Sequence, residues 1–218
     1  MQLASKKAFL VLIIAVVVLS GCGGPTGDAQ THLEAGRAHM EAGQWDEAIA
    51  EFEAAVRLDP SSAEAHFQLG NAYTHKGRLD EAAQEFKAVL ALNAEHAAAH
   101  SNLGVVYYQK GQLTEARSEF QKALAIDPSD AGTHYLLGAA QAQMGRLDEA
   151  LREFQEALAL DPGLPEPYFG LGTVYMLQGH KEKAIEAFER FLECDLGRDP
   201  RARAEAERAL KELKGKGQ

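Results

Sequence analysis

The sequence predicts an all-α fold built from about five consecutive copies of one short unit. Ala, Glu, Gln and Leu, which favour helices, are abundant, and only seven of the 218 residues are proline. Four columns of identical residues also recur every 34 residues. The columns are Gly36, Gly70, Gly104, Gly138 and Gly172; Ala48, Ala82, Ala116, Ala150 and Ala184; Phe52, Phe86, Phe120, Phe154 and Phe188; and Gly43, Gly77, Gly111, Gly145 and Gly179. Columns in register over five periods predict an α-solenoid, in which each copy packs on its neighbours.

The chain begins with the features of an export signal. Lys6 and Lys7 precede an unbroken apolar run from Phe9 to Leu19. A helix needs about 20 residues to cross the hydrocarbon core of a bilayer, so this run is too short to span it. Its length and its basic flank are typical of the apolar region of a signal peptide.

The four residues 19–22, Leu-Ser-Gly-Cys, resemble the lipobox of bacterial lipoproteins. The resemblance implies that the thiol of Cys22 receives a diacylglycerol group and that cleavage makes this cysteine the first mature residue. Two or more acyl chains anchor a protein stably. Gly23 stands where an Asp would mark retention in the inner membrane, so the outer membrane, facing the periplasm, is favoured. The alternatives are an uncleaved signal anchor or an ordinary secretory signal.

The repeat columns resemble the tetratricopeptide repeat, whose unit of 34 residues is two helices joined by a turn. The resemblance implies a right-handed α-solenoid. We expect a signal peptide at 1–21, a lipidated flexible tether at 22–28, five repeats over 29–198, and a capping helix and tail at 199–218. The expected repeats are 29–62, 63–96, 97–130, 131–164 and 165–198.

Each column has a physical reason. A glycine inside a helix costs about 0.5–1 kcal/mol relative to alanine, so the first column requires a close helix contact. We expect the small alanine column to lie opposite it and the phenylalanines to fill the space between repeats. The second glycine column supplies the positive φ that ends a helix. Asp-Pro pairs end three of the repeats, and Asn93-Ala94 replaces the pair in repeat two, where we expect a softer boundary.

The last segment is predicted to be a helix that caps the array. Asp199 is a suitable N-cap, and Pro200 suits the first helical position. Leu210 and Leu213 give the helix an apolar stripe, and most other positions are polar. A polar outer face is what a terminal repeat requires. Docking of a partner on the basic side chains is the alternative role.

The resemblance also implies a binding groove, because the first helices of such repeats line a concave face. Matching positions place one set of side chains there, with partial packing against adjacent repeats as the alternative role. Aromatic and Met side chains are typical of interface cores. The predicted partner-binding residues are Leu33, Arg37, Met40, Phe67, Asn71, His75, Val105, Tyr108, Tyr135, Phe169, Thr173 and Met176.

One subclass of this family holds a C-terminal carboxylate with paired Lys, Asn and Arg residues. Asn71 and Asn102 match that pattern, but Phe67 and Ser101 stand where lysines are needed. We therefore expect an extended or helical partner segment with apolar anchors.

The sequence predicts no catalytic site, no metal site and no cofactor besides the lipid on Cys22. His32, His66, His100 and His134 fall one period apart, too far for shared ligation, and are predicted to pack. His96 and His100 are four residues apart, but no third ligand is evident. Cys194 has no neighbour that would activate its thiol. No catalytic motif is present, so an enzyme is disfavoured.

The predicted function is therefore a membrane-anchored scaffold that binds proteins, in cell-envelope or type IV pilus assembly. The formal net charge of −10, which is concentrated in 29–198, disfavours nucleic acid as a partner. No small-molecule substrate is expected. The alternative is a periplasmic sorting chaperone that shields an unassembled envelope client, and an envelope enzyme is a third hypothesis without supporting residues.

Overall fold

The computed structural model describes residues 27–215, and these form eleven helices and no strand. The helices are α1 (Ala29–Glu41), α2 (Trp45–Leu58), α3 (Ala63–His75), α4 (Leu79–Leu92), α5 (Ala97–Gln109), α6 (Leu113–Ile126), α7 (Ala131–Gln143), α8 (Leu147–Leu160), α9 (Pro165–Leu177), α10 (Lys181–Cys194) and α11 (Pro200–Gly215). Successive helices pack antiparallel in pairs, and each pair packs on the next. The predicted α-solenoid with a terminal capping helix is confirmed.

Glycine ends the first helix of every repeat. The φ angles of the five turn glycines lie between 71° and 77°, in the left-handed region that side chains with a Cβ rarely adopt. In the first repeat the N–H of Gly43 donates to the carbonyl of Met40, and the next N–H donates to that of His39. These bonds satisfy carbonyls that the helix end would otherwise leave free.

The glycine inside each first helix lies against a phenylalanine ring, not against an alanine. A Cβ on Gly36 would stand 2.4 Å from Phe52 Cε1, and one on Gly104 would stand 2.6 Å from Phe120 Cε1. The expectation that alanine faces the glycine is therefore wrong. Each ring fills space within its own repeat. The alanine column is fully buried beside it. In repeat five, Gly172 lies against Phe188 in the same way. Gly170 of that repeat also lies against the ring of Phe154, which belongs to repeat four, so the expected filling between repeats holds for Phe154.

The end of repeat two is as well defined as the others, which corrects the expected softer boundary. The side-chain oxygen of Asn93 accepts the N–H of Glu95 at 3.0 Å. Asp59 and Asp127 accept the N–H two residues on at the same distance. Because the turn depends on this side-chain acceptor, Asn in place of Asp keeps the same hydrogen bond, and the turn forms without the proline that follows Asp in repeats one, three and four.

The regularly spaced histidines form hydrogen bonds in addition to packing. In repeats one to four, Nδ1 lies 2.5–2.8 Å from a glutamate of the second helix of the same repeat. In repeats two to four, Nε2 lies 3.1–3.3 Å from a carbonyl in the turn that ends the preceding repeat. In repeats two to four, each imidazole therefore connects both helices of its repeat with the repeat before. The pairs are His32–Glu51, His66–Glu85, His100–Glu119 and His134–Glu153.

Helix α11 covers the end of the last repeat. Asp199 caps it by accepting the N–H groups of Arg201 and Ala202. Ala206 is fully buried and Leu210 is buried, and both belong to the same core cluster as Phe188 and Phe191 of α10. The outer face of α11 is polar, as the capping role requires.

The predicted signal peptide and the lipidation at Cys22 lie outside the described residues. Among residues 27–215, no helix combines the length and the apolar character that crossing a membrane requires.

Candidate functional site

The first helices of the repeats, α1, α3, α5, α7 and α9, form one continuous surface with two cavities, referred to together as the groove. The N-terminal cavity, about 320 Å³, is lined by Met40, Trp45, Asn71, Thr74, His75, Asn102 and Val105. The C-terminal cavity, about 330 Å³, is lined by Tyr108, Tyr135, Ala139, Ala142, Gln143, Phe154, Glu166, Phe169, Gly170, Thr173, Val174 and Leu177. Eight of the twelve predicted partner-binding residues line one or other of these cavities.

Polar contacts organise the N-terminal cavity. The side-chain amide of Asn102 donates to Asn71 Oδ1 at 2.7 Å, which joins α5 to α3. The imidazole of His75 stacks on the indole of Trp45, with ring centroids 3.6 Å apart and an interplanar angle of 15°. This stack gives the cavity a flat wall with a polar edge.

An ion pair lies at the N-terminal end of the groove. Arg37 of α1 donates to Glu64 of α3 at 2.7 Å, and both side chains are nearly half exposed. An exposed pair of this kind contributes little to stability. Each partner therefore remains available to a polar group of a bound segment.

Aromatic side chains form the C-terminal cavity, and core rings hold them in place. Phe169 meets Phe188 and Phe191 edge-on, with centroids 5.7 Å and 5.3 Å apart. Tyr135 packs beside Phe154, with a centroid distance of 6.1 Å. Rings that are fixed in this way lose little conformational entropy when a partner covers them.

The electrostatic surroundings of Tyr135 are distinctive. Its pKa is raised above the usual value for tyrosine, first by burial and then by the negative charge of Glu166. Burial and a nearby carboxylate both disfavour the phenolate. The hydroxyl therefore stays protonated and can donate a hydrogen bond to a ligand.

The other four predicted residues lie outside both cavities. Leu33 is buried, with 5% exposure, in the core that contains Ile49 and Phe52, so its prediction as a contact residue is corrected. Repeat one has no preceding repeat, and the Leu33 side chain packs in the core with residues of α2. Phe67 is half-buried against Phe86 and His96. Met176 is exposed beside the C-terminal cavity, and Arg37 lies in the ion pair described above.

Sequence reasoning missed several lining residues. Trp45 begins a second helix, so its position gave no reason to place it on a surface made of first helices. Glu166 and Leu177 lie on α9, one near each end, and neither position was among the predicted partner-binding residues. Leu177 is 65% exposed in the structure, an unusual exposure for a large apolar side chain.

The histidines and the cysteine considered in the sequence are engaged locally. His96 is the N-cap of α5, where Nδ1 accepts the N–H of Ala99 at 3.1 Å. His100 contacts Glu119 and the carbonyl of Ala94. Cys194 is a half-buried free thiol at the end of α10. Within residues 27–215, no three metal-ligating side chains converge.

Profiles of the tetratricopeptide-repeat family match most of the repeat region. One matches residues 33–94, a second matches 106–145 and 142–179, and a third matches 165–195. Curated protein sequences gave no match.

Solved structures similar to this chain include other tetratricopeptide-repeat proteins. MamA from Desulfovibrio magneticus RS-1 is 26% identical, with a TM-score of 0.72 over 79% of this chain and 98% of that one. YrrB, described as having an unusual peptide-binding site, is 26% identical, with a TM-score of 0.66 over 83% and 92%.

The pilF protein of Pseudomonas aeruginosa is 19% identical, with a TM-score of 0.72 over 86% of this chain and 89% of that one, and shows the shared fold alone. Together, the 34-residue period, the paired helices and the profile matches lead to one conclusion. This chain belongs to the tetratricopeptide-repeat family and is a scaffold of the kind that binds peptides or proteins.

Proposed function

We propose that this protein is a lipid-anchored scaffold that holds a segment of an envelope protein in its groove, with type IV pilus assembly as the first pathway to test. The observation that carries the proposal is the pair of cavities in the groove, of which the C-terminal one is lined mainly by aromatic and apolar side chains and the N-terminal one by apolar and polar side chains together. Surfaces of this composition form the cores of protein interfaces. The lipobox-like residues 19–22 support the anchor.

The shape of the surface favours a segment over a folded domain. Two shallow cavities, separated along the solenoid, suit side chains that project from one extended or helical stretch. Flanking polar groups, among them Asn71 and the Arg37–Glu64 pair, suit the backbone or polar side chains of such a stretch. The same groove contacts would hold an assembly partner or a chaperone client, so a competition experiment is needed to distinguish the two.

The groove is tested with Ala139→Arg, which places a long cation in the C-terminal cavity from a half-buried position. Arg can extend to solvent from such a site, so the fold is retained. The matched control is Ala159→Arg on the exposed face of α8. After crosslinking in native envelopes, intact protein and Ala159→Arg should capture the same partner, and Ala139→Arg should lose it.

Two outcomes would count against the proposal. Equal capture of the partner by Ala139→Arg and Ala159→Arg would show that the partner binds outside the groove. Displacement of the captured partner by unrelated denatured proteins would favour the chaperone alternative over a specific scaffold.

The anchor is tested separately with Cys22→Ser, which removes the thiol that would carry the lipid. The intact protein should fractionate with membranes, and the variant should lose that association. Mass spectrometry of the N-terminal peptide should find acyl groups on Cys22. An unmodified cysteine would contradict the anchoring proposal and leave the groove proposal standing.

A further inference from the structure

The C-terminal cavity continues into a smaller one that carries negative charge. This acidic cavity, about 200 Å³, is lined by Tyr135, Pro165, Glu166, Phe169, Phe191, Asp195, Asp199 and Ala202. Tyr135, Glu166 and Phe169 line both cavities. The two therefore form one surface that is aromatic on one side and acidic on the other.

The three carboxylates differ in how far their charge is compensated. Asp195 is buried, accepts two backbone N–H groups and lies 3.9 Å from a guanidinium nitrogen of Arg203. Asp199 accepts the two N–H groups at the start of α11. Glu166 is exposed and has no hydrogen bond or ion pair among the described residues. No residue that lines either cavity has a positively charged side chain.

The other repeats lack this combination. The residues that match Glu166 in repeats one to four are Gln30, Glu64, Ala98 and Gly132. Glu64 is the one acid among them, and Arg37 neutralises it at 2.7 Å. Uncompensated negative charge beside an aromatic cavity is therefore particular to the last repeat and the cap within residues 27–215. The charge also acts inside the cavity, because it helps to raise the pKa of Tyr135.

We propose that this end of the groove binds a partner segment in which a large apolar side chain is followed, two residues later, by Arg or Lys. The apolar side chain enters the C-terminal cavity, and the cation lies between Glu166 and Asp199. In an extended chain, side chains two residues apart point the same way and are separated by about 6.5–7 Å, which suits adjoining cavities. The cation also gains contact with the Tyr135 ring. This inference rests on the proposed groove function and specifies the chemistry of its ligand.

Short synthetic peptides test the inference directly. The probes are Gly-Ser-Phe-Ser-Arg-Ser-Gly, the same peptide with Glu in place of Arg, and the same peptide with Ala in place of Phe. Dissociation constants are measured by calorimetry at low and high salt on the chain that begins at residue 23. The Phe–Arg peptide should bind at least about tenfold more tightly than either relative at low salt.

The variant that tests the charge is Glu166→Gln with Asp199→Asn. Asn is as good an N-cap as Asp, so α11 keeps its first turn. The matched control is Glu156→Gln with Glu186→Gln, which removes two exposed carboxylates that line neither cavity. The control should keep the preference for Arg over Glu, and the test variant should reduce it to less than about threefold.

Three results would overturn the inference: equal binding of the Arg and Glu peptides, an unchanged preference in the test variant, and no binding of any probe at about 1 mM. Self-association of the chain that the test variant abolishes would instead identify a second copy as the occupant and overturn it too. If Ala139→Arg still abolishes capture in envelopes, the groove function stands and the cationic specificity alone fails.

Discussion

At the scale of single residues, the glycines with the least room for a Cβ are those that lie against a phenylalanine ring. Each glycine of the column Gly36, Gly70, Gly104, Gly138 and Gly172 lies so close to a ring that a single methyl group would overlap it. The phenylalanines of this column are 2% exposed or less, so the ring has no free space to move into. The column of glycines is thus explained by ring packing, which outweighs the cost of glycine inside a helix.

We expect Gly104→Ala to destabilise the protein, although alanine is the better helix former. The added Cβ would stand 2.6 Å from Phe120 Cε1, and forced repacking of a full core costs about 1–3 kcal/mol. Thermal or urea unfolding of the variant measures this cost. Gly215→Ala is the control, because no atom lies within 4 Å of its Cβ position. A stabilised Gly104→Ala protein would show that the ring moves freely.

The sequence could locate these glycines but not their contact. Ala48 and Phe52 are four residues apart on α2, so both project from the same side of that helix. The sequence alone does not determine whether Ala48 or Phe52 lies opposite Gly36. The answer depends on the offset between α1 and α2 along their axes, which the turn sets in three dimensions.

At the scale of helices, the histidine–glutamate pairs connect each repeat in two directions. His66 contacts Glu85 of its own repeat and the carbonyl of Pro60 from the repeat before. Repeat five replaces both partners together, with Tyr168 at the histidine position and Ala187 at the glutamate position. The tyrosine hydroxyl lies 3.4 Å from the carbonyl of Pro162, so the contact with the preceding turn is retained in weaker form.

This paired replacement predicts strong coupling in repeat two. His66→Tyr alone leaves Glu85 partly buried without its partner, and Glu85→Ala alone leaves an imidazole nitrogen unsatisfied, so each should cost about 1–3 kcal/mol. The double variant should cost less than the sum of the two, as it recreates the arrangement of repeat five. A double-mutant cycle in urea measures the coupling. Additive costs would mean that the pair contributes nothing as a pair.

At the scale of the whole molecule, every helix pair contacts its neighbours in the array and little else. Stability in such an array is approximately the sum of repeat terms and interface terms. The cap closes one end by covering Phe188 and Phe191, which α10 would otherwise expose.

We therefore expect damage to the cap to act locally. Ala206→Asp places a charge at a fully buried position, whereas Ala204→Asp adds the same charge at an exposed position on the same helix. Hydrogen exchange in Ala206→Asp should accelerate in α9, α10 and α11 and remain unchanged in α1 to α4. Acceleration along the whole chain would show that the array unfolds as one cooperative unit. Faster exchange in Ala204→Asp as well would show that the added charge, and not the loss of a buried contact, causes the effect.

The sequence predicted the architecture well because the period, the turn glycines and the N-cap of α11 are local signals. It predicted the groove less completely, because the depth of a side chain depends on its neighbours in space. Leu33 matches Phe67 and Tyr135 by position, yet it is buried in the first repeat. Trp45 reaches the groove from a second helix, which no pattern on the first helices would select, and Glu166 lies one turn before Phe169, at a position that the prediction did not include.

The contact between glycine and phenylalanine has a consequence for how such a protein grows over generations. Both partners lie in one stretch of 34 residues, as do the histidine and the glutamate of each pair. A tandem duplication of the corresponding DNA would therefore deliver matched partners in a single event, with no second change needed elsewhere. Length can then vary by whole repeats, while selection adjusts the surface of each copy separately, as the distinct charges beside repeat five illustrate.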